Sequence, residues 1–507
     1  MSNFRNHLAL LVALLVAIFA AGCSSGSDSN PAAKFSNASL AGQYAFSTSG
    51  NELCAGQASF FTRAGTFAAD GKGNVAGGLE DINVCTGIAT LAFTSGKYSI
   101  DASGRGTLSL TNSTGTTNYR ITLVSTTHGV IVETDAGATA SGSFQRQNPA
   151  AFSNPAIAGG YVFDFNGVEV AGVAVNPASF VGRFDADGGG GVTLGVFDSN
   201  IAGSLSGQQP FPGGAFYRLD TNSDGRTWGR GTAAIAGRAF AFYVVDATRV
   251  KFLGTGFPSA LIGDALAQQN VAFTNASLGG SFAFSIGGAS SNGLIATAGR
   301  FTADGGGTIT NVVIDENNNG VRTPLPNGTV TGSYAVDSNQ LGGGTLTWTD
   351  TIAGTFSFIF YLISPTQAVF QETDSQIVSD GAFSAQTASR ISAAALAGDY
   401  AFGWSGVSTR GPEDFVGQLS LTPSNTVNGK IDFNEFGTGT LFFNVPITGN
   451  LTLSGDGTQA NTLTVNLQTT PVVATFQFTV YVVDQNTLLP VGVDANRVIG
   501  GALIRQP

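Results

Sequence analysis

Apolar and polar residues alternate with a period of two along most of the chain beyond residue 30. The alternation is clearest in the related segments 240–245, 356–361 and 476–481, each of which opens with phenylalanine at every second position. This pattern is typical of strands with one buried face. Phe-x-x-Asp-Gly-x-Gly strings recur between such segments, and Asp and Gly accept the positive φ of tight hairpin turns. The pattern predicts an all-β protein of short antiparallel strands.

The strand pattern recurs four times. Each copy opens with an apolar residue, a glycine and an aromatic pair, and the copies begin at Leu40, Ile157, Leu278 and Leu396. An Asp-x-Asn triplet follows with a spacing of 117 residues each time, at Asp81, Asp198, Asp315 and Asp432. A fixed period of this length indicates tandem modules, and each module is long enough to bury its own core.

Short links separate the modules, so we expect four beads in a row whose neighbours touch. The predicted ranges are 1–22 for a leader, 23–34 for a tether, and 35–148, 152–269, 273–387 and 390–507 for the four β modules. Each module is expected to close on a glutamine, which is Gln147, Gln269, Gln386 or Gln506.

Each module holds about eight strands between its turns, and eight antiparallel strands in meander order close into a small up-and-down barrel without exposed edges. A β-sandwich of the same strands is the alternative. The opening Gly-x-Tyr-x-Phe at Gly42 and its counterparts resemble the Gly-x-Trp start of lipocalin and avidin-like barrels, with Tyr or Phe in place of Trp. The resemblance implies a calycin-like barrel and, as one possible role, a carrier of a small apolar ligand.

A basic and apolar leader precedes the modules. Its apolar run from Leu8 to Ala21 is 14 residues long, which is shorter than the ~20 residues of a membrane-spanning helix and typical of a secretory signal. The leader ends in Ala20-Ala21-Gly22-Cys23, which resembles the lipobox of bacterial lipoproteins. That resemblance implies cleavage before Cys23, lipid such as palmitate on Cys23, and, with Ser24 next, location at the outer membrane. A plain signal peptide cleaved elsewhere is the alternative.

The composition is typical of a secreted β protein and limits the classes of partner that we expect. Charged residues make up 11% of the chain, glycine accounts for 70 of 507 residues, and the net charge is -11. The sequence has no basic patch to neutralise phosphates, so we expect no nucleic-acid partner. The expected partners are the membrane, through the lipid anchor, and an extracellular polymer or protein.

Cysteine and histidine are scarce. Besides Cys23, only Cys54 and Cys85 occur, and in an oxidising compartment we expect them to form a disulfide, with two free buried thiols as the alternative. Of the two histidines, His7 leaves with the leader and His128 lies in a predicted turn, where we expect a solvated side chain. One remaining histidine excludes a multi-histidine zinc site and leaves at most one Ser-His-Asp arrangement.

Two strings resemble calcium-binding loops, because they carry the Asp-x-Asn-x-Asp/Asn-Gly spacing that surrounds a hard cation with oxygens. The candidate ligands are Asp220, Asn222 and Asp224 in one string and Asp315, Asn317 and Asn319 in the other. Neither string has an acidic twelfth residue, so an Asx-rich hairpin turn is the favoured interpretation and no other cofactor is expected. The repeated Asp-x-Asn triplet is likewise either a ligand-facing pair or, as we favour, a turn that binds its own backbone.

Acidic pairs raise the question of polysaccharide cleavage. The candidates are Glu80, Asp81, Glu133 and Asp135 in the first module and Glu372 and Asp374 in the third. Such pairs at strand ends are more often a solvated rim, so we expect no catalytic residues and no enzymatic activity. The favoured function is a non-catalytic lipoprotein that binds, adheres or gives the envelope structure. The many phenylalanines predict packed interiors and count against the carrier.

Overall fold

The computed structural model describes residues 35–221, 228–326, 329–387, 390–468 and 473–507. The all-β class and the four repeated modules are confirmed, since each module forms its own antiparallel sheet. The first sheet contains β1 (Ala41–Cys54), β2 (Gln57–Asp70), β3 (Val75–Val84), β4 (Gly87–Ala92), β5 (Ser95–Ile100), β6 (Arg105–Asn112), β7 (Gly115–Leu123), β8 (His128–Glu133) and β9 (Ala138–Arg146). The second contains β10 (Ala158–Ala171), β11 (Ala174–Asp187), β12 (Val192–Ile201), β13 (Ser204–Pro210), β14 (Phe216–Leu219), β15 (Arg230–Ile235), β16 (Arg238–Asp246), β17 (Arg249–Gly254) and β18 (Ala260–Ala267).

The third and fourth modules repeat this arrangement. The third contains β19 (Gly279–Ser290), β20 (Gly293–Asp304), β21 (Thr308–Asn318), β22 (Val321–Leu325), β23 (Val330–Val336), β24 (Gly343–Asp350), β25 (Gly354–Ser364), β26 (Gln367–Glu372) and β27 (Ile377–Ala385). The fourth contains helix α1 (Ala393–Leu396) and then β28 (Gly398–Ser408), β29 (Gly411–Leu421), β30 (Thr426–Glu435), β31 (Thr440–Thr452), β32 (Asn461–Gln468), β33 (Val473–Asp484), β34 (Thr487–Gly492) and β35 (Arg497–Arg505).

Every module has the meander order of an eight-stranded up-and-down barrel, with its first strand paired to both its second and its last. In the fourth module, β31 runs unbroken and the barrel closes. In the other three the fourth strand is split in two, and the pairing of β21 with β23 closes the third barrel. The first and second sheets stay open beside the split strand, where bridges join Asn74 to Lys97 and Gly191 to Phe216. We call the modules barrels one to four.

Aromatic side chains fill the barrel interiors. In barrel three, for example, the ring of Trp348 lies 4.6 Å from Phe358 and 5.7 Å from Phe284 between centroids. Contacts at such distances add about 0.5–1.5 kcal/mol per pair beyond the burial of area. Each barrel has its own core cluster, so the modules are separate packing units.

A short segment before the first strand covers one end of each of the first three barrels. In barrel one this segment is a single 3-10 turn, Asn37–Ser39. The Asn37 side chain accepts from the N–H of Ile100, and the Tyr98 hydroxyl donates to the carbonyl of Leu40 at 2.8 Å. Asn154 with Tyr217 and Asn275 with Tyr334 repeat these contacts in barrels two and three.

The four barrels form a closed ring instead of the row of beads that the sequence predicted. Apolar clusters join barrel one to two, two to three and three to four. A further cluster packs Val416 of barrel four against Val130 and Val132 of barrel one. We call each contact between neighbouring barrels a seam, and the contact of barrel four with barrel one the closing seam. The chain links the first three seams covalently, whereas the closing seam depends on non-covalent contacts.

Candidate functional site

The Asp-x-Asn triplet lies at a seam in every barrel. The Nδ2 group of Asn83 donates to the carbonyl oxygens of Gly254 and Ser259 in barrel two, at 2.9 and 2.8 Å. The same contact recurs at the other seams, from Asn200 to Glu372 and Ile377, from Asn317 to Gly492 and Arg497, and from Asn434 to Glu133 and Ala138. These asparagines are at most 2% exposed.

The turn predicted for the triplet is present in barrels two and three, where Oδ1 of Asn200 and Asn317 accepts from the N–H groups of Gly203 and Gly320 at 2.9 Å. The prediction missed the contact with the neighbouring barrel, which all four triplets make. Asp81 and Asn83 lie within strand β3, and residues two apart in a strand point to the same side. That side faces barrel two, so this polar pair bonds to the neighbouring barrel. The triplets are therefore spaced by 117 residues because each one makes the same contact with a neighbouring module.

The aspartate of the triplet accepts hydrogen bonds across the seam. The carboxylate of Asp81 accepts from the Tyr243 hydroxyl at 2.6 Å and from Nε of Arg230 at 2.7 Å. Tyr361 donates to Asp198 and Tyr481 donates to Asp315 in the same way. At the closing seam Thr122 stands at the tyrosine position, and Arg105 pairs with Asp432 instead.

The glutamine that ends each barrel makes a second repeated contact. Nε2 of Gln147 donates to the carbonyls of Trp228 and Val244 at 3.1 and 2.7 Å. Gln268, Gln386 and Gln506 repeat it at the following seams, so the residue in barrel two is Gln268 and not the predicted Gln269. The asparagine and glutamine contacts lie at opposite ends of the strands, and the barrels therefore stand side by side.

Charged side chains are buried inside barrel one. Nε of Arg63 lies 3.3 Å from the carboxylate of Glu133, Nη1 of Arg63 lies 3.7 Å from Glu80, and Asn112 donates to Glu80 at 2.7 Å. Burial raises the pKa of Glu133 to about 7 despite the opposing Arg63. Both glutamates are 1% exposed, so the solvated rim predicted for them was wrong, because their side chains point into the barrel.

Further charged groups are buried at the first and second seams. Nζ of Lys251 is 3.5 Å from Asp264 and 3.2 Å from the Ser143 hydroxyl of barrel one, and burial lowers the pKa of Lys251 to about 8. In the second seam Asn166 donates to Asp380 at 3.1 Å, and burial raises the pKa of Asp380 to about 7. These groups have no open path to a large substrate, since each is at most 2% exposed.

His128 begins strand β8 and is 5% exposed, so the solvated turn histidine predicted for it was wrong. Burial lowers the pKa of His128 to about 3, and the nearby Arg249 and Lys251 lower it further. The imidazole is therefore neutral at physiological pH. The sequence shows the turn residues before His128 but not the barrel that covers them.

The calcium candidates take part in protein contacts where the structure describes them. The carboxylate of Asp220 pairs with Arg230, Asp315 pairs with Arg322 and Tyr481, and Asn317 bonds to barrel four. Asn319 occupies a turn with a φ of 51°, and Asn222 and Asp224 lie outside the described residues. Among the described residues, no group of three His, Cys, Asp or Glu side chains is arranged to hold a metal ion. Calcium binding stays a prediction.

The disulfide predicted between Cys54 and Cys85 is confirmed. It joins the hairpin tip between β1 and β2 to the tip between β3 and β4, and closes a loop of 31 residues. Cys23 and the whole leader lie outside the described residues, so lipidation stays a prediction. Within the described part of the chain, no helix has the length and apolar character needed to cross a membrane.

A polar cleft of about 290 Å³ opens at the closing seam. Strands β5, β6 and β7 of barrel one supply most of its lining, including Arg105 and Arg120, while barrel four supplies Asp432 and Asn444. The guanidinium of Arg120 stacks over the ring of Phe443, with its Cζ 3.9 Å from the ring centroid. Sequence reasoning missed this cleft, because its two halves are more than 300 residues apart in the chain.

The chain matches no family model, and no curated protein is significantly similar to it. The function is therefore inferred from the seams, the barrel interiors and the cleft.

Proposed function

We propose that the protein is a lipid-anchored, non-catalytic lipoprotein of the bacterial envelope whose barrels form one body for binding or for envelope structure. The observation that carries this proposal is the closed ring of seams, in which the same asparagine and glutamine contacts recur four times. A catalytic unit would need an accessible cluster of acidic or nucleophilic groups, whereas Glu80, Glu133, Lys251 and Asp264 are all at most 2% exposed. The ring instead supports a role in which four modules are held at fixed positions.

The packed interiors favour this role over transport of a small apolar ligand. Core clusters of aromatic and aliphatic side chains occupy the four barrels, and many of their rings are less than 2% exposed. A carrier needs an unfilled cavity for its ligand. We therefore place the proposed binding surface on the outside of the ring, toward an extracellular polymer or protein.

Lipid attachment tests the envelope part of the proposal. Cells that express the protein and are fed radioactive palmitate should label the wild-type chain, and Cys23→Ala should abolish the label. Several acyl chains on one cysteine anchor a protein stably where one chain would be marginal, so the variant should also leave the membrane fraction. A matched Ser24→Ala variant should keep its label, because it leaves the cysteine in place. Persistent labelling of Cys23→Ala would overturn the anchor.

A further inference from the structure

We infer that the cleft at the closing seam binds the carboxylate of an acidic sugar residue, such as a uronate unit of an anionic polysaccharide. The inference deepens the proposed binding function and rests on it. It does not depend on the lipid anchor, because the cleft is formed entirely by barrels one and four.

The lining of the cleft has more hydrogen-bond donors than acceptors. Arg105 is 3% exposed. Its Nη1 donates to the side-chain oxygen of Asn444 at 3.1 Å and its Nη2 donates to Asp432 at 2.5 Å. Its Nε is buried and has no hydrogen-bond partner. The other oxygen of Asp432 accepts from the N–H of Asn444 at 2.5 Å. Asp101, also in the lining, uses its Oδ1 to accept from the N–H groups of Ser103 and Arg105. Both oxygens of Asp432 thus accept hydrogen bonds within the protein, whereas Nε of Arg105 has no acceptor.

Arg120 is the principal free donor. No acidic side chain in the described ranges lies within ion-pair distance of it; burial lowers its pKa, the Asp432 carboxylate opposes that shift, and Arg105 adds to it. A half-buried guanidinium with no carboxylate in direct contact presents a planar fork of N–H groups that matches a carboxylate in a bidentate pair. The cleft therefore favours an incoming carboxylate.

The rest of the lining suits a sugar ring. The hydroxyl groups of Ser99 and Thr107 lie at the cleft and bond to each other at 2.9 Å. One of the two still has its proton to donate, and both have lone pairs that can accept from sugar hydroxyls. Phe443 is 39% exposed and offers an apolar ring beside Arg120. Ligand pockets commonly span ~300–1,000 Å³, so a cleft of about 290 Å³ fits one or two sugar units.

These features are special to the closing seam. Arg120 lies two residues before Thr122, and the matching residues of the other barrels are Ala241, Ile359 and Thr479. A bulge in β31 opposite Asp432 carries Phe443, and the corresponding bulge in barrel two has Gly207 at that position. The hydroxyl of Thr122 is buried without a partner, whereas the tyrosines at its position each donate to an aspartate. Barrel one therefore lacks the tyrosine–aspartate contact of the other seams, and the cleft lies at this place.

Calorimetry on the intact protein tests the inference, with digalacturonate as the probe and neutral galactobiose and inorganic phosphate as comparison ligands. Wild-type protein should bind digalacturonate saturably and galactobiose at least tenfold more weakly. Arg120→Gln should weaken digalacturonate binding at least tenfold. The matched control is Arg218→Gln, since Arg218 also lies over a phenylalanine ring, Phe216, but in barrel two; it should bind like wild type.

Three results would overturn the inference. They are no saturable binding of digalacturonate by folded wild-type protein, unchanged binding by folded Arg120→Gln, and phosphate binding as tight as digalacturonate binding, which would indicate a general anion site. A thermal melt of each variant confirms folding. If digalacturonate does not bind but palmitate labels the protein, only the sugar inference is refuted. If palmitate does not label the protein but digalacturonate binds, the anchored envelope role is refuted and the binding site in the cleft is retained.

Discussion

Replacing Asn434 and Gln506 together with leucine should open the ring. The two side chains donate four hydrogen bonds across the closing seam, to Glu133, Ala138, Ser103 and Leu123. Leucine leaves these buried carbonyl oxygens without donors, and each such oxygen costs about 1–3 kcal/mol. Since no covalent link spans this seam, a loss of several kcal/mol should separate barrel four from barrel one. Small-angle X-ray scattering should show a larger radius of gyration.

The matched control changes the same contacts at the first seam, in Asn83→Leu with Gln147→Leu. It removes the donors to Gly254, Ser259, Trp228 and Val244. The chain passes directly from barrel one to barrel two, so these barrels should stay close and the radius of gyration should rise less. Equal radii for wild type and both double variants, with equal melting temperatures, would show that the contacts do not hold the ring.

Asp414→Asn should make the protein more stable at pH 8 and flatten its pH dependence. Asp414 lies in the closing seam, where the Thr139 hydroxyl donates to it at 2.7 Å. Burial raises its pKa to about 7, and the neighbouring Glu413 raises it further against the hydrogen bonds from Thr139 and Ser141. Burying a charged carboxylate is costly, so the folded ring prefers the protonated side chain.

The sign of the pH effect follows from this raised pKa. The folded state binds a proton that the unfolded state releases near pH 4. The contribution of Asp414 to stability is therefore fully present below about pH 4 and is lost as pH rises through about 7. Asparagine cannot ionise and keeps an oxygen that accepts from Thr139. At pH 8 the substitution should therefore raise the free energy of unfolding by on the order of 2–4 kcal/mol. Urea unfolding at pH 5 and pH 8 measures the difference.

Other buried carboxyl groups give wild type a similar trend, since burial also raises the pKa of Glu133, Glu372 and Asp380. The comparison of Asp414→Asn with wild type isolates one residue. Asp135→Asn serves as the control, because Asp135 lies at a barrel end and is partly exposed. Parallel pH profiles of Asp414→Asn and wild type would refute the buried-carboxyl account.

The sequence was sufficient to predict the fold of one module but not the arrangement of four modules in a ring. Alternating phenylalanines and Asp-Gly turns predict strands and hairpins because these depend on neighbours along the chain. The spacing of the Asp-x-Asn triplet identified the residues of the seams, yet it predicted only a turn contact, because the partner carbonyls belong to the next barrel. The tyrosines at 243, 361 and 481 recur at a fixed place in the second, third and fourth modules, and that shared register was a signal of a common contact.

The other wrong predictions have the same physical origin, which is packing between residues far apart in the chain. His128 and Glu133 were expected in solvent, because turn and strand-end positions are usually exposed in a lone module. A neighbouring barrel covers His128, and the interior of barrel one takes the side chain of Glu133. The cleft at Arg120 joins barrel one to barrel four, and no local pattern could place those two segments together.

A disulfide engineered across the closing seam tests the ring most directly. A Cβ added at Gly403 would lie 3.3 Å from Cβ of Val130, close to the ~3.5–4.5 Å of natural disulfides. The double variant Val130→Cys with Gly403→Cys should therefore form an intramolecular disulfide in most monomers, seen by non-reducing mass spectrometry, while neither single variant does. Free thiols in the double variant, or disulfides only between molecules, would contradict a ring in which barrel four packs on barrel one.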